Sequence, residues 1–332
     1  MRLDLRGKRV LVTGGAGFIG SHVVEALLDR GCSVVVLDNF STGKLSNLER
    51  YLDDSRLTII KGDVCDLGAV ERALEGARAV VHEAAVKSVP LSFKNPAFTH
   101  EVNVGGTLNL LRAASEAGVE RFVFASSAAV YGEQDAIPIR EDAPPNPLSP
   151  YGRSKLLGER ECLNFWRDGK IEAVCLRYFN VYGPRMTGDE YAGVMMKFAE
   201  RLRGSEPPII YGDGEQTRDF VHVADVVDAT VRALEREGIA GEVINVGSGR
   251  ATSINELCEI FLEATGKPHL RPVYEPPRPG DIRRSQADIA KGRRLLGYEP
   301  AVALERGVKD LLGFFGSRVR NRNSHAHASG CH

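Results

Sequence analysis

Residues 10–22, VLVTGGAGFIGSH, decide the fold. A β-branched strand pattern is followed at once by a Gly-rich turn and then by an apolar helical pattern. In this context Gly14 would turn the chain, Gly17 would allow a pyrophosphate to approach, and Gly20 would let the helix pack on the strand. The stretch therefore predicts a dinucleotide-binding strand–turn–helix unit.

The alternation of strands and helices continues along the chain. Short apolar runs precede helices or loops at residues 9–14, 33–38, 57–63, 79–85, 121–127 and 172–178. This pattern predicts an α/β protein with a Rossmann-like, doubly wound parallel sheet. Two long helices are expected, at residues 95–118 and 151–169.

Gly- and Pro-rich connections break this pattern after Arg177, and GEVINVGS at 241–248 predicts one more strand that returns to the sheet. We therefore expect three parts. They are a Rossmann domain of residues 1–177 and 221–248, a smaller interleaved C-terminal region of residues 178–220 and 249–316, and a disordered tail of residues 317–332.

The composition excludes several classes of protein. A chain of 332 residues with 43% hydrophobic content can bury a large core, and a net charge of -1 argues against nucleic-acid or anionic-membrane surfaces. No apolar run could span a bilayer, and the first residues lack a signal-peptide pattern. Six cysteines without CxxC spacing fit reduced thiols. We expect a cytoplasmic protein that binds no nucleic acid, membrane or metal.

Two carboxylates follow later strands. Asp38 ends the second strand pattern, 18 residues after Gly20, where a carboxylate would accept hydrogen bonds from a ribose diol. The same charge would repel a 2'-phosphate, so NAD is favoured over NADP. Asp63 and Val64 follow the third strand and could contact an adenine. These positions predict NAD as the cofactor.

Residues 149–155, SPYGRSK, predict the start of a helix, with Ser149 as N-cap and Pro150 in the first position. Tyr151 and Lys155, four residues apart, then share one face of that helix. A nearby ammonium group in a water-poor cleft would lower the pKa of a phenol. The pair is a candidate general base.

These motifs occur together in one known family. With the glycine turn, the two strand-end carboxylates, HEAA at 82–85, SSAAVYG at 126–132 and YGRSK at 151–155, the sequence resembles the extended short-chain dehydrogenase/reductase family. It is most similar to its nucleotide-sugar 4-epimerases, over nearly the whole chain to about Phe315. The resemblance implies a UDP-hexose 4-epimerase with tightly bound NAD and a UDP-sugar as substrate.

The resemblance also implies roles for the catalytic residues. Tyr151 would be the acid/base, Lys155 would hold the nicotinamide ribose and lower the pKa of Tyr151, and Ser127 would bridge the sugar hydroxyl and the phenol. The cofactor-binding residues expected from these motifs are Gly14, Gly17, Phe18, Ile19, Gly20, Asp38, Asn39, Ser41, Thr42, Gly43, Asp63, Val64, Ala84, Ala85, Lys87, Asn103, Tyr151, Lys155 and Tyr178.

On the sugar side, Asn180, Arg218 and Arg278 match positions that contact the nucleotide diphosphate in the epimerases, and guanidinium groups suit phosphate oxygens. The expected substrate-binding residues are Lys87, Ser88, Ser127, Asn180, Val194, Tyr211, Arg218, Arg278, Asp281 and Ser285. Epimerases limited to small hexoses carry a tyrosine at the position of Ser285, so the serine here, together with KSVPLS at 87–92, implies that N-acetylhexosamines are also accepted.

Other activities remain open at this point. Related 4,6-dehydratases carry an acidic pair where this chain has Ala128 and Ala129, so they are disfavoured. The alternatives are a UDP-glucuronate 4-epimerase, another NAD-dependent nucleotide-sugar oxidoreductase, or a catalytically silent NAD-binding scaffold. The resemblance further implies a homodimer formed by the helices near 95–118 and 151–169.

One residue departs from the family pattern. The usual apolar residue after His82 is replaced by Glu83, which could pair with Lys87 or face solvent. His82 itself is expected to be a packing residue at a strand end.

Overall fold

A computed structural model describes residues 4–187, 193–278 and 281–328, and within them seven parallel strands form the main sheet. These strands are β1 (Arg9–Thr13), β2 (Ser33–Asp38), β3 (Leu57–Lys61), β4 (Ala79–His82), β5 (Arg121–Ser127), β6 (Glu172–Tyr178) and β11 (Val243–Val246). Their order across the sheet is β11-β6-β5-β4-β1-β2-β3. The predicted doubly wound parallel sheet, including the returning strand, is confirmed.

The helices of the described residues pack on both faces of this sheet and around a separate core away from it. They are α1 (Phe18–Asp29), α2 (Leu67–Leu74), α3 (Val89–Lys94), α4 (Pro96–His100), α5 (Gly106–Glu116), α6 (Pro150–Arg167), α7 (Val194–Arg203), α8 (Val223–Glu235), α9 (Ile254–Ala264), α10 (Ala290–Leu296) and α11 (Leu304–Ala328). Among the described residues, no helix combines the length and apolar character that crossing a membrane requires.

The strands are largely apolar because both faces of the sheet are covered. In β1, Val10 and Val12 point into a core shared with α1 and α8, whereas Leu11 points into the opposite core, under α2, α5 and α6. This period of two directs the buried apolar side chains of the strands alternately into one of two cores.

A third core lies apart from the sheet. Side chains of α7, α9 and α11, including Met196, Phe198, Phe261 and Leu311, pack together there. Three short pairs accompany them: β7 (Asn180–Tyr182) with β10 (Phe220–His222), β8 (Ile209–Tyr211) with β13 (Val273–Glu275), and β9 (Thr217–Arg218) with β12 (Thr252–Ser253). The second region thus has its own apolar interior.

The helix expected at 95–118 differs from a regular α-helix. Asn95 caps it, and a π-helical turn at Glu101–Gly105 lies between α4 and α5. The extra residue of such a turn changes which side chains share a face. A continuous α-helix would therefore place the wrong side chains on each face of this segment.

The C-terminal segment also differs from the expectation. A disordered tail was predicted for residues 317–332, but α11 continues to Ala328, and residues 329–332 lie outside the described residues. Residues 317–328 contain neither proline nor glycine, so nothing in the sequence breaks the helix there.

A buried ion pair ties α6 to the centre of the sheet. The guanidinium of Arg177 on β6 donates from Nε and Nη2 to the two carboxylate oxygens of Glu159, both at 2.8 Å, and the two side chains are only 5% and 2% exposed. Ser126 on β5 donates to the same carboxylate, and the Arg177 guanidinium lies 4.6 Å from the ring centroid of Tyr131. Three elements therefore meet at one charge pair.

Removing one partner of this pair should leave an uncompensated buried charge. We expect Glu159→Gln to lower the free energy of unfolding by about 3 kcal/mol. Asp142→Asn is the control, because it breaks the exposed Arg140–Asp142 pair and should cost less than about 1 kcal/mol. Denaturant unfolding followed by circular dichroism measures both free energies of unfolding. Equal decreases for the two variants would contradict the larger contribution expected of the buried pair.

Candidate active site

A cavity of about 560 Å³ opens at the carboxyl ends of the strands. The chain runs outward from β1 through β2 and β3 and then crosses back to β4, on the other side of β1. Parallel sheets bind ligands where the strand order reverses in this way, and the volume is that of a small-molecule site. All of the predicted cofactor-binding residues line this cavity except Gly43 and Asn103.

The glycine turn at the cavity floor has no room for side chains. Gly14 has a φ of +66°, and a Cβ there would lie 2.8 Å from the backbone nitrogen of Ala84. A Cβ on Gly20 would lie 2.3 Å from the carbonyl oxygen of Gly14. The glycines therefore let α1, the turn and the end of β4 approach closely, which leaves space for a ligand above the helix start.

Asp38 closes the far side of this turn. Its carboxylate accepts hydrogen bonds from the backbone nitrogens of Ala16, at 2.9 Å, and Phe40, at 2.8 Å. Burial raises its pKa, which these two hydrogen bonds oppose. Gly43 does not line the cavity, but a Cβ there would lie 2.8 Å from both carboxylate oxygens, so this glycine leaves room for Asp38.

Asp63, after β3, is held at the cavity wall. It accepts hydrogen bonds from Asn39 Nδ2, at 2.7 Å, and from the backbone nitrogen of Cys65, at 2.9 Å. Partial burial works against its charge, but these hydrogen bonds hold the pKa of Asp63 below its usual value.

Asn103 is placed differently from the prediction. Its side chain is buried behind the cavity, where Oδ1 accepts from Val86 N at 2.7 Å and Nδ2 donates to Val86 O at 3.1 Å and to Ser154 Oγ at 2.9 Å. The π-helical turn carries it inward. Asn103 therefore positions the loop after β4, and its expected contact with the cofactor stays a prediction.

His82 is a buried packing residue, as expected. Its Nδ1 lies 2.7 Å from Thr13 Oγ1 and its Nε2 lies 2.9 Å from Thr107 Oγ1. Because Thr107 donates its own proton to the carbonyl of Asn103, Nε2 must carry the imidazole proton. Burial lowers the pKa of His82 to about 3, so the ring is neutral.

Tyr151 and Lys155 lie on one face of α6 and both line the cavity. Ser149 caps the helix as predicted, accepting a hydrogen bond from Gly152 N at 3.0 Å. Lys155 Nζ donates to the carbonyl of Ala125 at 2.7 Å. Ser127 ends β5 outside the lining of the cavity, and its side chain acts to lower the pKa of the Tyr151 phenol. The three predicted catalytic residues are thus brought together.

The ionisation of this group differs from the expectation. Burial raises the pKa of Tyr151, the hydrogen bond from Ser127 opposes this, and the charge of Glu83 raises it further. Burial likewise lowers the pKa of Lys155 to about 8. In the protein alone the pKa of Tyr151 therefore lies above its usual value, because the loss of water around the phenol outweighs the hydrogen bond from Ser127. The lowering of this pKa by Lys155 stays a prediction.

Glu83 takes neither of the two positions expected for it. Its carboxyl group lies in the cavity wall, 2.9 Å from the hydroxyl of Tyr178 on β6, instead of pairing with Lys87 or facing solvent. Burial raises the pKa of Glu83 to about 7. The sequence showed that a glutamate is unusual at this position. It did not indicate Tyr178 as the hydrogen-bond partner, because Tyr178 is 95 residues away in the chain.

Lys87 and Ser88 lie at the edge of the same cavity. Lys87 Nζ is 3.4 Å from Thr187 Oγ1, and the Ser88 hydroxyl caps α3 by accepting from Leu91 N at 3.1 Å. Lys87 thus links the end of the β4 loop to the chain that follows β7.

That chain is also anchored on α1. Arg185, with a φ of +69°, donates to Glu25 Oε1 at 2.7 Å and to Ser21 Oγ at 3.2 Å. Nearby, His22 Nε2 lies 3.0 Å from the carbonyl of Pro184. Residues 183–187 are therefore fastened to the helix that follows the glycine turn.

Four predicted substrate residues form a cluster outside the cavity lining. The guanidinium of Arg278 lies 3.7 Å from the ring centroid of Tyr211, Arg218 pairs with Asp281, and Asp281 N donates to Arg278 O. Two cations and an aromatic ring are thus concentrated at one place in the second region.

The remaining predicted substrate residues lie in separate segments. Asn180 is exposed on β7, Val194 begins α7, and Ser285 is buried next to Gln286, whose carbonyl accepts from Ile139 N.

The sequence did not indicate several of the residues that line the cavity. They are Leu37, Gly62, Val86, Leu91, Phe98, Val102, Ala125 and Ser126. Phe98 and Val102 come from the helix interrupted by the π-turn, whose facing the sequence pattern misassigns. Ala125 and Ser126 directly precede Ser127 at the end of a strand, and this position in the sequence could have predicted that they line the cavity.

Comparisons with known proteins agree with this geometry. Residues 10–247 match the model of the NAD dependent epimerase/dehydratase family. The chain is 42% identical over 310 residues to a UDP-glucose 4-epimerase of Mycolicibacterium smegmatis, covering 92% of this chain and 98% of that protein.

Solved structures are similar as well. The UDP-glucose 4-epimerase of Thermotoga maritima with UDP-glucose has a TM-score of 0.88 at 41% identity, covering 94% of this chain and 99% of that chain. A UDP-N-acetylglucosamine 4-epimerase from Methanobrevibacter ruminantium has a TM-score of 0.89 at 37% identity, with the same coverage of each chain.

The glycine cradle and Asp38 generate a binding prediction. We expect Asp38→Asn to weaken NAD binding about tenfold. The asparagine side chain would present an N–H group to hydrogen-bond donors from which the carboxylate of Asp38 accepts. Asp53→Asn, at an exposed residue, is the control. Isothermal titration with NAD measures both, and an unchanged affinity for Asp38→Asn would remove this carboxylate from the cofactor site.

Proposed function

The chain belongs to the NAD-dependent epimerase/dehydratase family, and we propose that it is a UDP-hexose 4-epimerase with bound NAD. The observation that carries the proposal is the meeting of Tyr151, Lys155 and Ser127 beside a cavity whose floor is a glycine cradle. The similarity to 4-epimerases over more than nine-tenths of the chain supports it.

In the proposed reaction, Tyr151 takes the proton of the sugar C4 hydroxyl and later returns it. Ser127 keeps the phenol directed at that hydroxyl. Lys155, held by Ala125 O, has two ammonium protons left for ribose hydroxyls. When bound, NAD would supply the acceptor and donor of the C4 hydride and, in its oxidised form, a positive charge. Return of the hydride to the other face of C4 and of the proton to O4, after the keto sugar has turned over in the site, would give the C4 epimer.

The residues fit this cofactor on structural grounds. Gly14 and Gly20 have no space for a Cβ, so the turn is shaped for close approach of a ligand to the backbone. Asp38 and Asp63 present carboxylates at the far wall. We propose that residues 1–177 and 221–248 hold NAD.

The sugar nucleotide is assigned to residues 178–220 and 249–316. Arg218 and Arg278 supply the guanidinium groups for a diphosphate, and Tyr211 supplies an aromatic face. Ser285 is buried and small, which supports acceptance of N-acetylhexosamines as well as hexoses.

We further propose that the protein is a cytoplasmic homodimer. In the described residues Cys32, Cys65, Cys162, Cys175 and Cys258 are free thiols, which supports a reducing compartment. Phe93, 61% exposed on α3 beside α6, is an apolar surface that a second copy could cover. Sedimentation velocity of the purified protein distinguishes a dimer from a monomer.

Tyr151→Phe tests the mechanism. We expect kcat to fall at least a thousandfold, because the variant loses the acid/base and its hydrogen bond to Ser127. NAD binding should persist. Tyr274→Phe, on an exposed side chain, is the control and should leave turnover unchanged. Turnover by Tyr151→Phe at the rate of the unaltered enzyme would exclude the proposed acid/base, and NMR of the sugar product measures it.

The substrate range is tested with UDP-galactose and UDP-N-acetylgalactosamine, without added NAD. We expect the unaltered protein to convert both, and Ser285→Tyr to lose at least tenfold in kcat/KM for the acetylated sugar only. Conversion of UDP-galactose alone by the unaltered protein would contradict the role of Ser285. If neither sugar reacts, even with NAD, the proposed substrates are wrong.

A further inference from the structure

Glu83 begins a chain of three oxygen–oxygen contacts that leads away from the cavity. The Tyr178 hydroxyl lies 2.9 Å from Glu83 Oε1 and 2.8 Å from Thr230 Oγ1 on α8. Thr230 Oγ1 in turn lies 2.8 Å from the carbonyl oxygen of Val226. The chain therefore runs from a carboxyl group through two hydroxyls to a backbone acceptor.

A count of protons decides the direction of this chain. Val226 O can only accept, so Thr230 must give it its single hydroxyl proton. Thr230 then accepts from Tyr178, which uses the single proton of the phenol. The contact between Tyr178 and Glu83 needs a third proton, and only the carboxyl group can supply it. If Glu83 were ionised, two protons would have to serve three contacts of hydrogen-bond length.

We propose that Glu83 is a positioning residue that works as a neutral carboxylic acid, donating its proton to Tyr178 and so fixing the Tyr178 ring in the wall of the cofactor cavity. The inference deepens the proposed function and rests on it for its catalytic consequence. A glutamate serves here where an apolar residue cannot, because an apolar residue would leave the Tyr178 oxygen without a donor.

The surroundings of Glu83 explain why the neutral form suits the site. Of the described residues, the titratable groups that interact with it are Tyr178 on β6 and Tyr151 and Lys155 on α6; α8 contributes the hydroxyl of Thr230. Burial raises the pKa of Glu83 to about 7, although the contact with Tyr178 and the charge of Lys155 both act to lower it. A negative Glu83 raises the pKa of Tyr151, so the neutral acid leaves the phenol easier to deprotonate.

The sign of the pH dependence follows. Below a pKa of about 7 the carboxyl group is neutral and the three contacts are complete. As the pH rises through that value, Glu83 ionises, the chain lacks one proton, and a second negative charge appears beside Tyr151. The ordering of Tyr178 and the acid/base role of Tyr151 are therefore both weakened on the alkaline side.

Two substitutions separate the donor from the charge. Glu83→Gln keeps an N–H donor for Tyr178 and never ionises, whereas Glu83→Leu removes the donor. Glu116→Gln, at an exposed residue at the end of α5, is the matched control.

The protonation state is read by infrared difference spectroscopy at about pH 6, one unit below the titration. A carboxylic acid band that is present in the unaltered protein and in Glu116→Gln, and absent in Glu83→Gln, is the expected result. Equal spectra for the unaltered protein and Glu83→Gln would overturn the proposal. This measurement involves no sugar, so it stands even if the proposed substrates are wrong.

Positioning is read by NAD affinity and by the pH profile of kcat. Glu83→Leu should weaken NAD binding about tenfold, and Glu83→Gln should restore it. The kcat of the unaltered enzyme should fall above a pKa of about 7, and Glu83→Gln should remove that fall. A Glu83→Gln variant as weak in NAD binding as Glu83→Leu would refute the donor role, and so would an unchanged pH profile. If Glu83→Leu does not fold, the Glu83→Gln profile alone decides.

Discussion

The buried pair of Arg177 and Glu159 is the interaction on which the active-site geometry depends. Glu159 lies one helical turn after Lys155 on the inner face of α6, so the ion pair fixes the rotation of the helix that carries both Tyr151 and Lys155. Ser126, which donates a hydrogen bond to the carboxylate of Glu159, immediately precedes Ser127. The same charge pair thus sets the positions of all three proposed catalytic residues relative to the sheet. Such pairs give specificity of arrangement more readily than net stability.

A second set of buried polar contacts shapes the opposite wall. Thr13, His82 and Thr107 form a directed hydrogen-bond chain, and Asn103 in the π-turn holds both backbone groups of Val86. Polar groups without access to water need such partners. The cavity is therefore bounded by strand ends whose loops are fixed from behind, which is how a rigid sheet presents loop residues in defined positions.

Local signals in the sequence were enough to predict much of the molecule. The apolar strand runs, the glycine turn with Asp38 after the next strand, and the N-cap before Tyr151 each depend on neighbours in the chain. What could not be predicted depends on distant partners. Glu83, Tyr178 and Thr230 come together only in the folded protein. No periodic pattern in the sequence indicates the π-turn that moves Asn103 inward. The pKa of Tyr151 also depends on burial, which spacing alone does not reveal.

The anchoring of residues 183–187 on α1 has a thermodynamic consequence. Arg185 and Pro184 contact the helix whose start forms the dinucleotide cradle, while Thr187 meets Lys87 at the cavity edge. One segment thus touches both α1 and the cavity edge, and it leads into the region that we propose binds the sugar nucleotide. A ligand that orders α1 would then also order this loop, and any resulting dependence of the two affinities must be mutual: whatever factor the dinucleotide contributes to sugar-nucleotide affinity, the sugar nucleotide contributes equally to retention of the dinucleotide.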